Sequence, residues 1–197
     1  MLSKITKKIT NEILVTVPGI TEEKAEEIDY GLYMAISDGL KLAAVLLTAF
    51  ALGQLRYALT AVAVFSVNKS FFGGIHAKTQ VGCVITHFTF IFGTIYLSHV
   101  ITFDYLNIFM FIISGILVYL YAPADLISKP IITEKRRKEL RVRSSIVFVI
   151  WFLISFLVPQ VFSNVISIIT LINAVNLTPV VYKITKNRKG GVLNEKR

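Results

Sequence analysis

The residues best able to do covalent chemistry lie in one short stretch, Phe71-Phe72-Gly73-Gly74-Ile75-His76-Ala77-Lys78-Thr79-Gln80-Val81-Gly82-Cys83. It holds the only cysteine of the 197-residue chain, a histidine seven positions earlier and three glycines. A cysteine attacks as its thiolate, and a neighbouring imidazole is a common way to take up the thiol proton. On one unbroken helix seven residues rise about 10.5 Å, whereas proton transfer needs hydrogen-bond reach of about 3 Å. His76 and Cys83 can therefore cooperate only if the backbone folds back between them. Gly73, Gly74 and Gly82 permit such a turn. The expected arrangement has His76 on a loop and Cys83 near the start of a helix, where the helix dipole stabilises a thiolate. The alternative is that Cys83 packs as a small hydrophobe, as free cysteines commonly do. His87, one turn after Cys83, would complete a trio with His76, but further ligands and an HExxH pattern are missing, so no metal is expected. A polar residue facing the interior of a helix bundle is the plainer account of His87. With one cysteine there is no intrachain disulfide.

The elements that must position this segment are membrane helices. Hydrophobic residues make up 54% of the chain and charged residues 17%, against about 45–50% and about a quarter in soluble domains. The excess is concentrated in Leu42–Leu52, Val84–Tyr96, Ile108–Tyr121, Ile146–Val158 and Val165–Ile172. A transmembrane helix takes roughly 20 apolar residues, so about six of them use most of the chain. That leaves room for loops and tails only, and excludes a soluble enzyme or an extramembrane domain. The expected fold is all-α, a polytopic membrane protein of about six membrane-embedded helices preceded by an N-terminal amphipathic helix. It forms one membrane-embedded domain over residues 1–197: amphipathic helices over 1–31, a helical membrane bundle over 32–182 and a basic tail over 183–197. The first long apolar run begins near Gly31 and lacks a small-residue cleavage pattern, so a cleaved signal peptide is not expected.

Residues 1–16 place Leu2, Ile5, Ile9 and Ile13 at helical spacing, with Lys4, Lys7 and Lys8 mostly off that stripe. Such a helix suits a membrane interface. After Pro18-Gly19, Thr21 reads as an N-cap with Glu22 and Glu23 in the first turn. That helix continues into span 1, Leu32–Leu52. Spans 2 to 6 are expected near Tyr57–Phe72, Val81–Val100, Tyr105–Tyr121, Ser144–Val158 and Val161–Tyr182, with a polar segment, Ala122–Arg143, before span 5. Asp38 and Lys41 lie within span 1. At i and i+3 they can pair with each other, or they can serve a substrate groove.

The net charge of +9 comes from 21 Lys and Arg against 12 Asp and Glu. In a soluble protein this would suggest nucleic acid, but here the basic residues flank apolar runs, so no nucleic-acid partner is expected. The turns Gly53–Arg56, Ile101–Asp104 and Pro159–Gln160 carry one basic residue, Arg56. The segment Ala122–Arg143 carries seven, and the tail adds Lys183, Lys186, Arg188, Lys189, Lys196 and Arg197. The positive-inside rule then puts both termini and this segment in the cytoplasm. The run Lys135–Arg143 fixes topology, attracts anionic lipid, and would also attract an acidic substrate tail.

Gly73-Gly74-Ile75-His76-Ala77 followed by Cys83 resembles the active-site segment of AgrB-type membrane peptidases, bacterial enzymes that process quorum-sensing propeptides. Further on, Tyr121-Ala122-Pro123-Ala124-Asp125, then Lys129-Pro130-Ile131 and a basic run, resembles the cytoplasmic loop of the same family. The likeness covers nearly the whole chain. One departure is Lys69-Ser70 where many members carry an arginine pair; a lysine keeps the charge but not the bidentate fork.

The resemblance implies a cysteine endopeptidase of the bacterial cytoplasmic membrane, working without a cofactor as a homodimer. Its partner would be an AgrD-like propeptide, with an amphipathic start, a short core and an acidic tail. Cys83 would be the nucleophile and His76 its base and later its acid. Attack at the core–tail junction would release the tail and leave the core as a thioester. A core thiol or hydroxyl would then close a thiolactone or lactone ring. Asp125 is the carboxylate best suited to orient His76, unless it contacts Lys129 instead. Gly73 and Gly74 support the turn. Lys69, Lys129, Lys135, Arg136, Arg137 and Lys138 are the expected propeptide contacts. Two other classes stay open on the residues alone. A small transporter would use Asp38, Lys41 and His87 as pathway groups, though no inverted repeat supports it. A noncatalytic membrane scaffold would use Cys83 for packing.

Overall fold

The computed structural model describes residues 2–17, 19–75, 79–101, 103, 105–125, 131, 133–187 and 190. It is all-helical, and the chain is a polytopic membrane protein. Two compact units divide it, residues 1–52 and 53–197.

The first unit contains α1 (Leu2–Thr16) and α2 (Glu22–Ala51). Thr21 caps α2 as expected: its side chain accepts the Lys24 N–H at 3.3 Å. The two helices pack on each other, but the residues α1 buries are Thr6 and Thr10, while Ile5 is exposed. The apolar stripe is thus not the most buried part of α1. Small threonines let helices approach closely, and the larger apolar groups stay available to lipid. Within α2, Lys41 Nζ donates to Asp38 at 2.7 Å, the local pair expected from their spacing.

The second unit holds α3 (Leu55–Phe72), α4 (Gln80–Val100), α5 (Leu106–Tyr121), α6 (Glu134–Leu157), α7 (Gln160–Val175) and α8 (Pro179–Ile184). Its axis is α7, which packs against α3, α4, α5 and α6. Every residue from Ser163 to Thr170 is buried. A helix enclosed on all sides must satisfy its polar groups internally. Asn107 Nδ2 donates to Ser163 at 3.1 Å, Ser167 donates to Asn107 Oδ1 at 2.8 Å, and Asn68 Nδ2 reaches Thr170 at 3.4 Å. Such bonds between membrane helices contribute about 0.6–1.7 kcal/mol each.

Helices α2, α4 and α6 are long and apolar enough to cross a membrane; α5 and α7 are apolar but have 16 residues each. Two boundaries differ from the sequence expectation. The basic segment before span 5 is not a loop throughout. Thr133 accepts the Arg136 N–H and starts α6 at Glu134, so Lys135–Arg143 forms helical turns continuous with the span. Span 6 is not continuous to Tyr182. It stops at Val175, and a new helix begins at Pro179, whose ring is tolerated in a first helical turn but not in a helix interior.

Candidate active site

Glycines end α3 and clasp two distant segments. Gly73 caps the helix with its N–H on the Lys69 carbonyl at 3.2 Å, and its φ is 78°. The Gly74 N–H donates to the Ala124 carbonyl at 2.9 Å, and the Ala124 N–H donates to the Phe72 carbonyl at 2.8 Å. Gly73 and Ala124 thereby form an isolated parallel bridge. A Cβ on Gly73 would lie 2.0 Å from the Ala124 oxygen, and one on Gly74 would lie 3.3 Å from the Asn176 oxygen. Both positions combine a positive φ with a backbone neighbour, so only glycine fits. The two motifs singled out in the sequence are hydrogen-bonded to each other.

Beneath the clasp lies an apolar cluster of Phe72, Val118, Ala122, Ala124, Ala174, Leu177 and Tyr182. It collects the ends of α3, α5 and α7 and seats the loops on rigid helices. From α6, Ser144 donates to the Phe71 carbonyl at 2.8 Å.

On the other side of the turn, Thr79 starts α4. Its hydroxyl accepts the Gly82 N–H at 3.1 Å and its carbonyl accepts the Cys83 N–H at 2.9 Å. Cys83 is half-buried in the first turn of α4, as its place in the sequence predicts. His76 lies outside the described residues. Lys69, half-buried in the last turn of α3, donates from Nζ to the carbonyl of Ile75. His87 stacks edge-on against Phe65 with ring centroids 5.2 Å apart.

Asp125 follows the clasp and is buried. Its Oδ2 accepts the Ile131 N–H and an Arg137 Nη2 bond, each at 3.2 Å. Its backbone carbonyl accepts the Tyr182 hydroxyl at 3.0 Å. Tyr182 sits in α8, beyond the end of the last span. Burial, and then the nearby Asp125 carboxylate, push its phenol up to about 12, so it remains a donor at neutral pH. An open cleft of about 180 Å³ runs along Tyr121–Asp125 and is lined by Arg137 and Arg141. Arg141 donates to the Tyr119 carbonyl at 2.8 Å and lies over that ring.

The expected basic contacts therefore separate. Arg137 is engaged with Asp125, whereas Lys135, Arg136 and Lys138 are exposed. Lys129, the other expected partner of Asp125, lies outside the described residues. Sequence reasoning did not single out Thr79, Ser144 or Tyr182. Thr79 alone had a signal, a threonine three positions before Gly82 where a helix begins.

The profile of the family described as accessory gene regulator B matches residues 3–177, which takes in the clasp, Cys83 and the Asp125–Arg137 segment. The chain belongs to the accessory gene regulator B family. Proteins called AgrB-like are similar to it. The one from Clostridium acetobutylicum is 27% identical over 151 residues, 75% of this chain and 72% of the relative. That of Listeria innocua is 29% identical over 174 residues, 85% of this chain and 83% of the relative. That of Listeria welshimeri is 28% identical over 174 residues, with the same coverage. No solved structure matches the chain. Membership assigns this membrane protein to autoinducing-peptide processing and gives it an AgrD-like propeptide as its class of partner.

Proposed function

We propose that this AgrB-family protein is a membrane-embedded cysteine endopeptidase that removes the C-terminal tail of an AgrD-like propeptide and enables ring closure of the core. The observation that carries this reading is the backbone clasp between Gly73–Gly74 and Ala124. It ties the glycines at the end of α3 to the segment that precedes Asp125 and lines the guanidinium-bearing cleft, which supports this reading.

The thiol proton of Cys83 passes to His76. The sulfur attacks the carbonyl at the core–tail junction; a C–S bond forms, the C–N bond breaks, and the imidazolium returns its proton to the leaving amine. The core remains as a thioester. A thiol or hydroxyl of the core then attacks that carbonyl, giving up its proton through His76, and Cys83 leaves as the thiol. Two acyl transfers divide one hard step into two easier ones, and the thioester conserves the activation that ring closure needs.

The exposed Lys135, Arg136 and Lys138, with Arg141 at the cleft, suit an acidic tail or anionic lipid. The asymmetry of basic residues supports a multi-pass arrangement in the cell membrane with both termini and this site in the cytoplasm. A homodimer is the assembly proposed with it.

The test is release of the propeptide tail by purified full-length protein in lipid. Cys83→Ala and Cys83→Ser are expected to abolish it while the protein remains folded and monodisperse. Full activity in Cys83→Ala would return the chain to a noncatalytic role in which Cys83 only packs.

A further inference from the structure

Arg141 is an exposed cation of α6 that is tied to the end of α5. Its Nη2 donates to the Tyr119 carbonyl at 2.8 Å, and its guanidinium lies over the Tyr119 ring. Together with Arg137 it lines the open cleft of about 180 Å³ along Tyr121–Asp125. Among the described residues the ion pairs join Lys41 to Asp38, Arg136 to Glu139 and Arg137 to Asp125, and none includes Arg141. Two guanidiniums thus face one carboxylate, and the lining keeps a net positive charge. Each guanidinium presents a planar fork of N–H donors suited to carboxylate or phosphate oxygens.

Beside the cleft the surface turns apolar in a regular way. Helices α5 and α6 run antiparallel: Phe111 packs on Phe152 with ring centroids 5.3 Å apart, Gly115 faces Phe148, and Tyr119 meets Arg141. Gly115 permits the approach, since a Cβ there would lie 3.0 Å from the Phe148 ring. One residue turns a helix by about 100°. With opposed axes, the positions that follow the contact residues therefore fall on the same side of the seam. On α5 these are Ile112, Ile116 and Leu120; on α6 they are Val142, Val149 and Leu153. All six are exposed. The positions that precede the contacts on α5, Met110, Ser114 and Val118, are buried against the bundle. Leu120 belongs both to the exposed stripe and to the wall of the cleft.

We propose that this seam holds one anionic phospholipid, with its phosphate on Arg141 and Arg137 in the cleft and an acyl chain along the exposed α5–α6 stripe. Charge complementarity names the headgroup, and the stripe names the rest of the molecule. An acidic peptide would need the cations alone, whereas here the cationic cleft opens onto an apolar track running for roughly 12 to 16 Å. The level is that of headgroups: the last charged residue of α6 is Arg143, and Tyr119 and Tyr121 end α5 where interfacial aromatics are expected. The phosphate would bear on Arg137, the ionic partner of Asp125, so the lipid braces the clasp end of the bundle. The proposal needs neither the thiol nor a propeptide and stands apart from the peptidase reading.

The test counts lipids on the full-length protein. Native mass spectrometry follows extraction into micelles that contain equal amounts of phosphatidylglycerol and phosphatidylcholine with the same acyl chains. One phosphatidylglycerol per chain is expected, retained in preference to phosphatidylcholine by about fivefold or more. Arg141→Gln is expected to remove the preference. Arg136→Gln, which deletes the same charge from an exposed position on the same helix, is expected to keep it. Equal loss in the two variants would mean diffuse attraction and would overturn the site. Glycerol phosphate and a polyglutamate peptide are each expected to leave the lipid in place. Displacement by the first would make the cleft a free-phosphate site, and displacement by the second a peptide site; either overturns the proposal. Should Arg141→Gln misfold, the wild type alone decides: equal retention of the two lipids overturns it.

Discussion

The two ends of the bundle formed by α3 to α7 are closed by different means. At the end near Gln54 and Ile101, polar and aromatic side chains tie helix ends together. The Asn164 amide donates to the carbonyls of Ser98 and Ile101, each at 2.9 Å, and accepts from Gln160 at 3.2 Å. His99 meets Gln54 at 3.2 Å and packs edge-on against Tyr57, which also lies against Phe162. At the other end backbone pairing, Gly74 to Ala124 and Ala124 to Phe72, is added to side-chain bonds from Ser144, Tyr182 and Arg141 to the carbonyls of Phe71, Asp125 and Tyr119. Side-chain amides can seal a helix end wherever one can be placed. Main-chain pairing instead leaves the side chains of the loops available for chemistry, and it requires glycine where backbones touch.

The comparison breaks most sharply at Gly73. Gly73→Ala puts a methyl into the Ala124 carbonyl and forces an alanine to a φ near 78°. Strain of about 3 kcal/mol or more is expected from that conformation and contact. Tail release should drop by at least ~100-fold, while thermal unfolding of the remaining bundle shifts little. Measuring activity and unfolding on the same preparation separates the two ends.

Arg137 gives the next largest effect. Replacing it with Gln leaves Asp125 buried without its ionic partner, whereas neutralising Lys135, Arg136 and Lys138 together touches only exposed charges. Arg137→Gln should lower kcat by about tenfold through the displaced loop. The triple replacement should raise KM several-fold at nearly constant kcat, and added salt should mimic it on the wild type. Equal behaviour of the two variants would show that the cluster acts as one undivided patch.

At the far end, Asn164→Leu removes the donor to two carbonyls. A loss of about 1–2 kcal/mol is expected, read as a lower denaturation midpoint, with tail release per folded molecule unchanged. Smallest is Tyr182→Phe, which deletes the hydroxyl that supports the Asp125 carbonyl; about 1 kcal/mol is expected, confined to the clasp end and visible as faster amide exchange at Ala124.

Much of this was legible in the sequence. Caps at Thr21 and Gly73 and the long apolar runs located most helix boundaries, because each rests on a local rule about side-chain oxygens or glycine. The two motifs were visible as motifs. Their pairing was not, since a hydrogen bond between the backbones of residues 74 and 124 leaves no trace in side-chain type beyond the glycines themselves. The start of α6 lies inside the basic run, whose charge reads as a loop, although Thr133 before Glu134 is a capping signal. Pro179 likewise marked the break between α7 and α8. The polar ladder of α7, Ser163, Ser167 and Thr170, was hidden by the hydrophobic average of its surroundings.

The most direct measurement of the central claim is intact-protein mass spectrometry of the full-length chain, quenched in acid during turnover with an AgrD-like propeptide. A mass increase equal to the core segment, located on Cys83 and removed by neutral hydroxylamine as a thioester is, is the predicted result, with no adduct in Cys83→Ser under the same quench. Tail release that proceeds with no adduct on Cys83 in the wild type, and persists in Cys83→Ala, would contradict the account.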